Sequence, residues 1–131
     1  MNDSYDVNEW IRFAQMDYDA ANKMAKEFRP IPIEIICYHC QQSVEKIFKA
    51  YTISQDGTFT KTHDLVFLLN QCKIFSDDFN DSTFDRICTT LRAYAALSRY
   101  PSNLDIEETQ MNTALKDAYK ILEFVKSKLI D

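Results

Sequence analysis

Apolar and small residues recur three or four positions apart from Val7 to Phe28, at Trp10, Phe13, Ala14, Ala20, Ala21, Met24 and Phe28, which is the spacing of one helix face. A long first helix is expected there. Arg29-Pro30-Ile31-Pro32 stops it, because proline lacks an amide donor and drives its predecessor out of the α region. The rhythm restarts at Ile33, Ile36, Cys37, Cys40, Val44, Ile47, Phe48 and Tyr51, predicting a second helix of about 20 residues antiparallel to the first. Ser54 to Thr62 holds the only glycine, Gly57, and reads as a loop, with Thr62 capping a short third helix through Leu65, Leu68, Leu69 and Cys72. Beyond a polar break at Asp77–Asp81, the residues Phe84, Ile87, Cys88, Leu91, Ala95 and Ser98 predict a fourth helix from about Ser82 to near Pro101. Asp105 with Glu108 has the spacing of a capping box for a last helix carrying Met111, Ala114, Leu115, Ala118, Leu122, Val125 and Leu129.

Composition supports the same picture. The 131 residues suffice for one core, so residues 1–131 are expected to form a single domain. One Gly and three Pro leave little turn material for a sheet, since hairpins need residues that tolerate positive φ. The fold class is therefore all-α, an up-and-down antiparallel bundle of four to five helices. A formal charge of −5 argues against general attraction to nucleic acid or anionic membrane, although a local basic patch is compatible with it. No apolar stretch approaches the roughly 20 residues of a bilayer span, and the start Met1-Asn2-Asp3-Ser4 lacks a basic leader, so no membrane association and a cytoplasmic location are expected. The four cysteines, Cys37, Cys40, Cys72 and Cys88, all fall on apolar stripes and read as reduced core thiols. Without a second Cys-x-x-Cys, no metal site and no cofactor are expected.

Certain polar residues do not fit a plain bundle. Asp17 lies on the apolar stripe of the first helix, where a carboxylate is costly unless it meets a cation or donor from another helix or sits at a cleft rim. His39, Gln42, Lys46 and Lys49 form a separate stripe on the second helix, which is either its solvated side or a row able to hold a phosphate or polarise a carbonyl. The His39 imidazole is a candidate partner for Asp17, and Arg99 is another. His63 and Asp64 open the third helix and Arg99-Tyr100-Pro101 closes the fourth, as caps and stops or as site residues. Tyr94, Tyr100 and Tyr119 lie off the main stripes and could serve an interface.

The run Cys37-Tyr38-His39-Cys40-Gln41-Gln42-Ser43-Val44-Glu45-Lys46-Ile47-Phe48-Lys49-Ala50, followed by Lys61-Thr62-His63-Asp64-Leu65 with Leu68-Leu69 and then Arg99-Tyr100-Pro101, resembles the HEPN (higher eukaryotes and prokaryotes nucleotide-binding) family. The resemblance spans nearly the whole chain. It implies a helical bundle, usually homodimeric, often paired with a minimal nucleotidyltransferase in a toxin–antitoxin-like context. Many HEPN proteins are metal-independent ribonucleases that use an Arg followed a few residues later by a His. Here the window after Arg92 holds Ala96, Leu97 and Ser98, and no His follows His63. The leading expectation is thus a module that binds a nucleotide or a nucleotidyltransferase partner through Asp17, His39, Gln42, Lys46, His63, Asp64, Arg99 and Tyr100. The alternative is a divergent endoribonuclease in which His63 or His39 replaces the missing His and acts on RNA.

Overall fold

The computed structural model describes residues 6–97 and 105–129, so Ser98, Arg99, Tyr100 and Pro101 lie outside the described residues. Helix α1 spans Val7–Glu27 and starts where the Asp6 carboxylate accepts from the Asn8 amide at 2.9 Å. Helix α2 runs Ile33–Asp56, longer than the sequence pattern suggested, and closes on Gly57 with φ 81°, a left-handed cap that glycine adopts without strain. The segment 57–64 folds back along α2 as a strap, bringing Phe59 against Trp10 and Lys49, and His63 against Glu45. Helix α3, Leu65–Phe75, is capped by Asp64, which accepts from Val66 N at 3.0 Å. Thr62, the cap expected from sequence, instead accepts from the Asp64 amide at 3.2 Å one step earlier.

Helix α4 covers only Ser82–Leu91, and the stretch expected to continue it is a 3-10 segment, Arg92–Ala96. The buried residues explain the change: Leu91, Tyr94 and Leu97 are three apart, and a helix of about three residues per turn stacks them on one face. This places Tyr94 in the core, not at the interface where its off-stripe position had put it. Helix α5 spans Glu108–Leu129. The cap lies two residues later than the expected Asp105–Glu108 box, because Gln110 Oε1 accepts from Glu107 N at 2.8 Å and Met111 N donates to Glu107 O at 3.1 Å.

Neighbouring contacts fix the directions. Ala14 meets Ser43 while Trp10 meets Lys49, so α1 and α2 are antiparallel. Phe48 meets Cys72 and Tyr51 meets Phe75, so α3 runs with α2, the strap having made the return journey between them. Lys73–Asp85 and Arg86–Asp117 pair α3 with α4 and α4 with α5, and the Phe84–Phe124 ring contact turns α5 antiparallel to α4. The result is the all-α bundle read from the sequence, with one correction to its up-and-down order: α3 runs parallel to α2 because the strap, not a tight turn, joins them. Its axis is α2: from Ser43 to Ile53 every residue except Lys46 is buried, because α1, α3, α5 and the 3-10 segment all pack on it. Phe79, on the 3-10 turn Asp77–Phe79, reaches into this core against Phe48, Tyr51 and Phe124.

All four cysteines are buried and unbridged. Burial pushes their thiols up, Cys37 and Cys88 to about 12 and Cys40 and Cys72 higher still, so none is a nucleophile near neutral pH. Among the described residues no helix is long and apolar enough to cross a membrane.

Candidate functional site

Asp17 leaves α1 toward α2 and is held from two sides. Its Oδ1 lies 2.8 Å from His39 Nδ1, and its Oδ2 accepts from Lys46 Nζ at 2.6 Å. His39 and Lys46 stand two turns apart on α2 and bracket Ser43, whose hydroxyl donates to the Ala14 carbonyl at 2.8 Å. The conflict seen in the sequence, a carboxylate on an apolar stripe, is thereby resolved by a cation and an imidazole from the neighbouring helix. Asp17→Asn keeps the shape but weakens both contacts, and a loss of about 1–3 kcal/mol is expected as a lower urea midpoint at unchanged slope.

A second polar cluster lies beside the first on the same helix. The Glu45 side chain is 5% exposed and accepts from Lys49 Nζ at 2.8 Å, Gln41 Nε2 at 3.0 Å and Gln42 Nε2 at 3.4 Å. His63 Nδ1, from the strap, closes on it at 3.0 Å, while the Gln41 amide also donates to the His63 carbonyl at 3.3 Å. Burial pushes the Glu45 carboxyl up, but the Lys49 and Gln41 hydrogen bonds, the Lys49 charge and His63 outweigh it, so Glu45 sits below the ordinary carboxylate range. The buried Lys49 corrects the reading of its stripe as a solvated side. Lys49 Nζ lies 5.4 Å from the Phe59 ring and 6.0 Å from the Trp10 ring, so the strap and α1 cover it.

Between these clusters and the start of α1 opens a groove of about 360 Å³ lined by Glu9, Trp10, Phe13 and Lys46. Phe13, read as a core position, is 45% exposed because it forms one wall of this groove. Lys46 Nζ lies 5.8 Å from its ring. Trp10 is held from behind by Phe59, with ring centroids 5.0 Å apart at 60°.

Of the residues singled out from sequence, Asp17, His39, Gln42, Lys46 and His63 thus lie along one side of α2. Asp64 is an exposed helix cap 3.5 Å from Arg92 and separate from them, and Arg99 and Tyr100 lie outside the described residues. Sequence reasoning missed Gln41 and Glu45. The available signal was that Gln41, Glu45 and Lys49 step by four along a helix with apolar residues on either side, a register in which a carboxylate must be paired.

The family model of the HEPN domain matches residues 7–128. Among solved structures, the chain is similar to the crystal structure of an archaeal HEPN homologue at 23% identity and a TM-score of 0.70, covering 95% of this chain and 98% of that one. No curated protein matches the chain.

Proposed function

The chain belongs to the HEPN domain family, and on that premise we propose that it is a nucleotide-binding helical module whose ligand occupies the groove of Trp10, Phe13 and Lys46. The observation that carries this reading is the placement of one ammonium group, held by Asp17, at an aromatic-lined groove. Aromatic faces accept any base by stacking, and a lysine that spends one N–H on a carboxylate keeps two for a ligand oxygen. Gln42 and His39 lie four and seven residues before Lys46 on the same stripe, outside the groove's lining, with His39 on the same carboxylate that holds Lys46. The groove also falls within the roughly 300–1,000 Å³ range of small-molecule sites.

Calorimetry and thermal denaturation with a nucleotide panel, in chelator, test the proposal. A bound nucleotide is expected to raise the melting temperature, since it stabilises only the folded chain. Lys46→Ala should weaken binding about tenfold or more, the worth of one charge-assisted hydrogen bond. If no nucleotide moves the melting temperature, the reading is wrong. A homodimer and a minimal nucleotidyltransferase partner, in a toxin–antitoxin-like pair, belong to the same proposal. Exposed Phe67 and Ile74 on α3 leave apolar surface for such contacts.

One observation favours a second reading, a metal-independent endoribonuclease. His63 has its Nδ1 fixed by the buried Glu45 carboxylate while its side chain is 63% exposed, the arrangement of an oriented imidazole open to solvent. That reading expects RNA cleavage in chelator that disappears in His63→Ala. Intact RNA after incubation with micromolar protein would count against it.

A further inference from the structure

Glu9 stands at the rim of the aromatic groove, and the nucleotide reading above gives it no task. It lies in the first turn of α1, one residue before Trp10 and four before Phe13, so it shares their edge of the groove while Lys46 comes from α2 opposite. In this structure its two oxygens accept from Arg12 Nε at 3.1 Å and Nη2 at 2.9 Å. Both side chains are more than half exposed, and ion pairs so exposed are weak enough to yield to a ligand.

An ionised carboxylate can only accept hydrogen bonds, and an ammonium can only donate them. The groove therefore offers a flat aromatic ligand an acceptor pair from one helix and donors from the other. Among the bases, guanine matches both. Its Watson–Crick edge carries two adjacent donors, N1–H and N2–H, and the adjoining edge carries two acceptors, O6 and N7. Adenine and cytosine set an acceptor beside their amino group, which repels a carboxylate, and uracil flanks its single N–H with carbonyls.

We infer that the groove is selective for guanine, stacked against Trp10 and Phe13, with Glu9 accepting from N1–H and N2–H and Lys46 donating to O6 or N7. The inference rests on the nucleotide reading and adds the base to it. Such a site discriminates by leaving its polar groups unpaired when the wrong base enters.

Calorimetric titration of the full chain with GMP, IMP, AMP and UMP tests it. GMP is expected to bind about tenfold or more tighter than AMP and UMP, with IMP between, because IMP keeps N1–H, O6 and N7 but lacks the N2 amino group. Glu9→Gln should bring GMP and AMP to within a few-fold while leaving the melting temperature of the free protein nearly unchanged, since Glu9 is exposed. The trinucleotide UGU compared with UUU separates a free nucleotide from a guanosine within a strand: UGU tighter than GMP identifies the strand, and UGU no tighter identifies the free nucleotide, the guanine preference standing in both. Equal binding of all four nucleotides, or a GMP preference that survives Glu9→Gln, overturns the inference while the nucleotide reading stands. Binding of none removes both.

Discussion

Replacing Glu45 by alanine is expected to destabilise the protein by about 3–5 kcal/mol, because it strands the Lys49 ammonium in a site where the lysine side chain is 6% exposed. Set against the roughly 5–15 kcal/mol that holds a domain of this size together, the variant should show a much lower urea midpoint and a populated unfolded fraction at physiological temperature. Removing both charges together is a different matter. Glu45→Leu with Lys49→Met leaves no unpaired ion, and recovery of a large part of the lost stability is expected even though Gln41 and His63 lose their acceptor. If the double variant is as unstable as Glu45→Ala, the ion pair is not the cause. The same carboxylate sets an acid limit. Since Glu45 in the fold titrates below its ordinary value of 4.5, its stabilisation is complete above that value and is lost as pH falls through the lower, folded one. Urea midpoints measured from pH 6 downward should therefore fall more steeply below about 4.5 in the natural chain than in Glu45→Gln, where that group no longer binds a proton.

Phe79→Ala is expected to cost about 3–5 kcal/mol as well, by a different mechanism. Phe79 is fully buried, with ring centroids 4.8 Å from Tyr51, 5.3 Å from Phe124 and 6.3 Å from Phe48. These partners belong to α2 and α5, whose other buried residues share the same packed core, so the space left by the ring is expected to close only in part. Phe79→Leu, which keeps much of the volume, should lose less than half as much, and equal losses in the two variants would show that the ring contacts outweigh the cavity.

These two residues show where the sequence was readable. Helix periodicity located all five helices, because an amphipathic stripe is a property of the chain itself. Phe79 was hidden inside an acidic stretch, Asp77 to Asp81, since a single anchor on a short turn produces no period. The end of α4 was misread for a related reason: Leu91, Tyr94 and Leu97 repeat at three, a spacing that an α-helical stripe tolerates until the neighbouring helices decide. For the site, Asp17 was found because it broke a rule; of its two partners His39 was within reach of reasoning, while Lys46, read as part of a separate stripe, was not. Glu45 gave a weaker signal, since Lys49 one turn on supplies a partner within the same helix. The four-residue step of Glu45 with Gln41 and Lys49 calls for a paired carboxylate, but the closure by His63 comes from the strap folding back over α2, a tertiary event outside the helix pattern. The groove was equally hidden, because Phe13 looks like any other core position until its place at the edge of α1 is known.

The enclosure of α2 has a consequence for the order in which the chain is made. Residues 33–56 leave the ribosome before α5, residues 108–129, with which they make one of their two most extensive contacts. Until α5 arrives, a helix with apolar residues around most of its circumference has part of that surface open. The α1–α2 hairpin can form meanwhile, tied by Asp17 to His39 and Lys46, but it must wait in a sticky and incompletely covered state. Slow translation through residues 57–107 would therefore lengthen the period in which this apolar surface of α2 stays open.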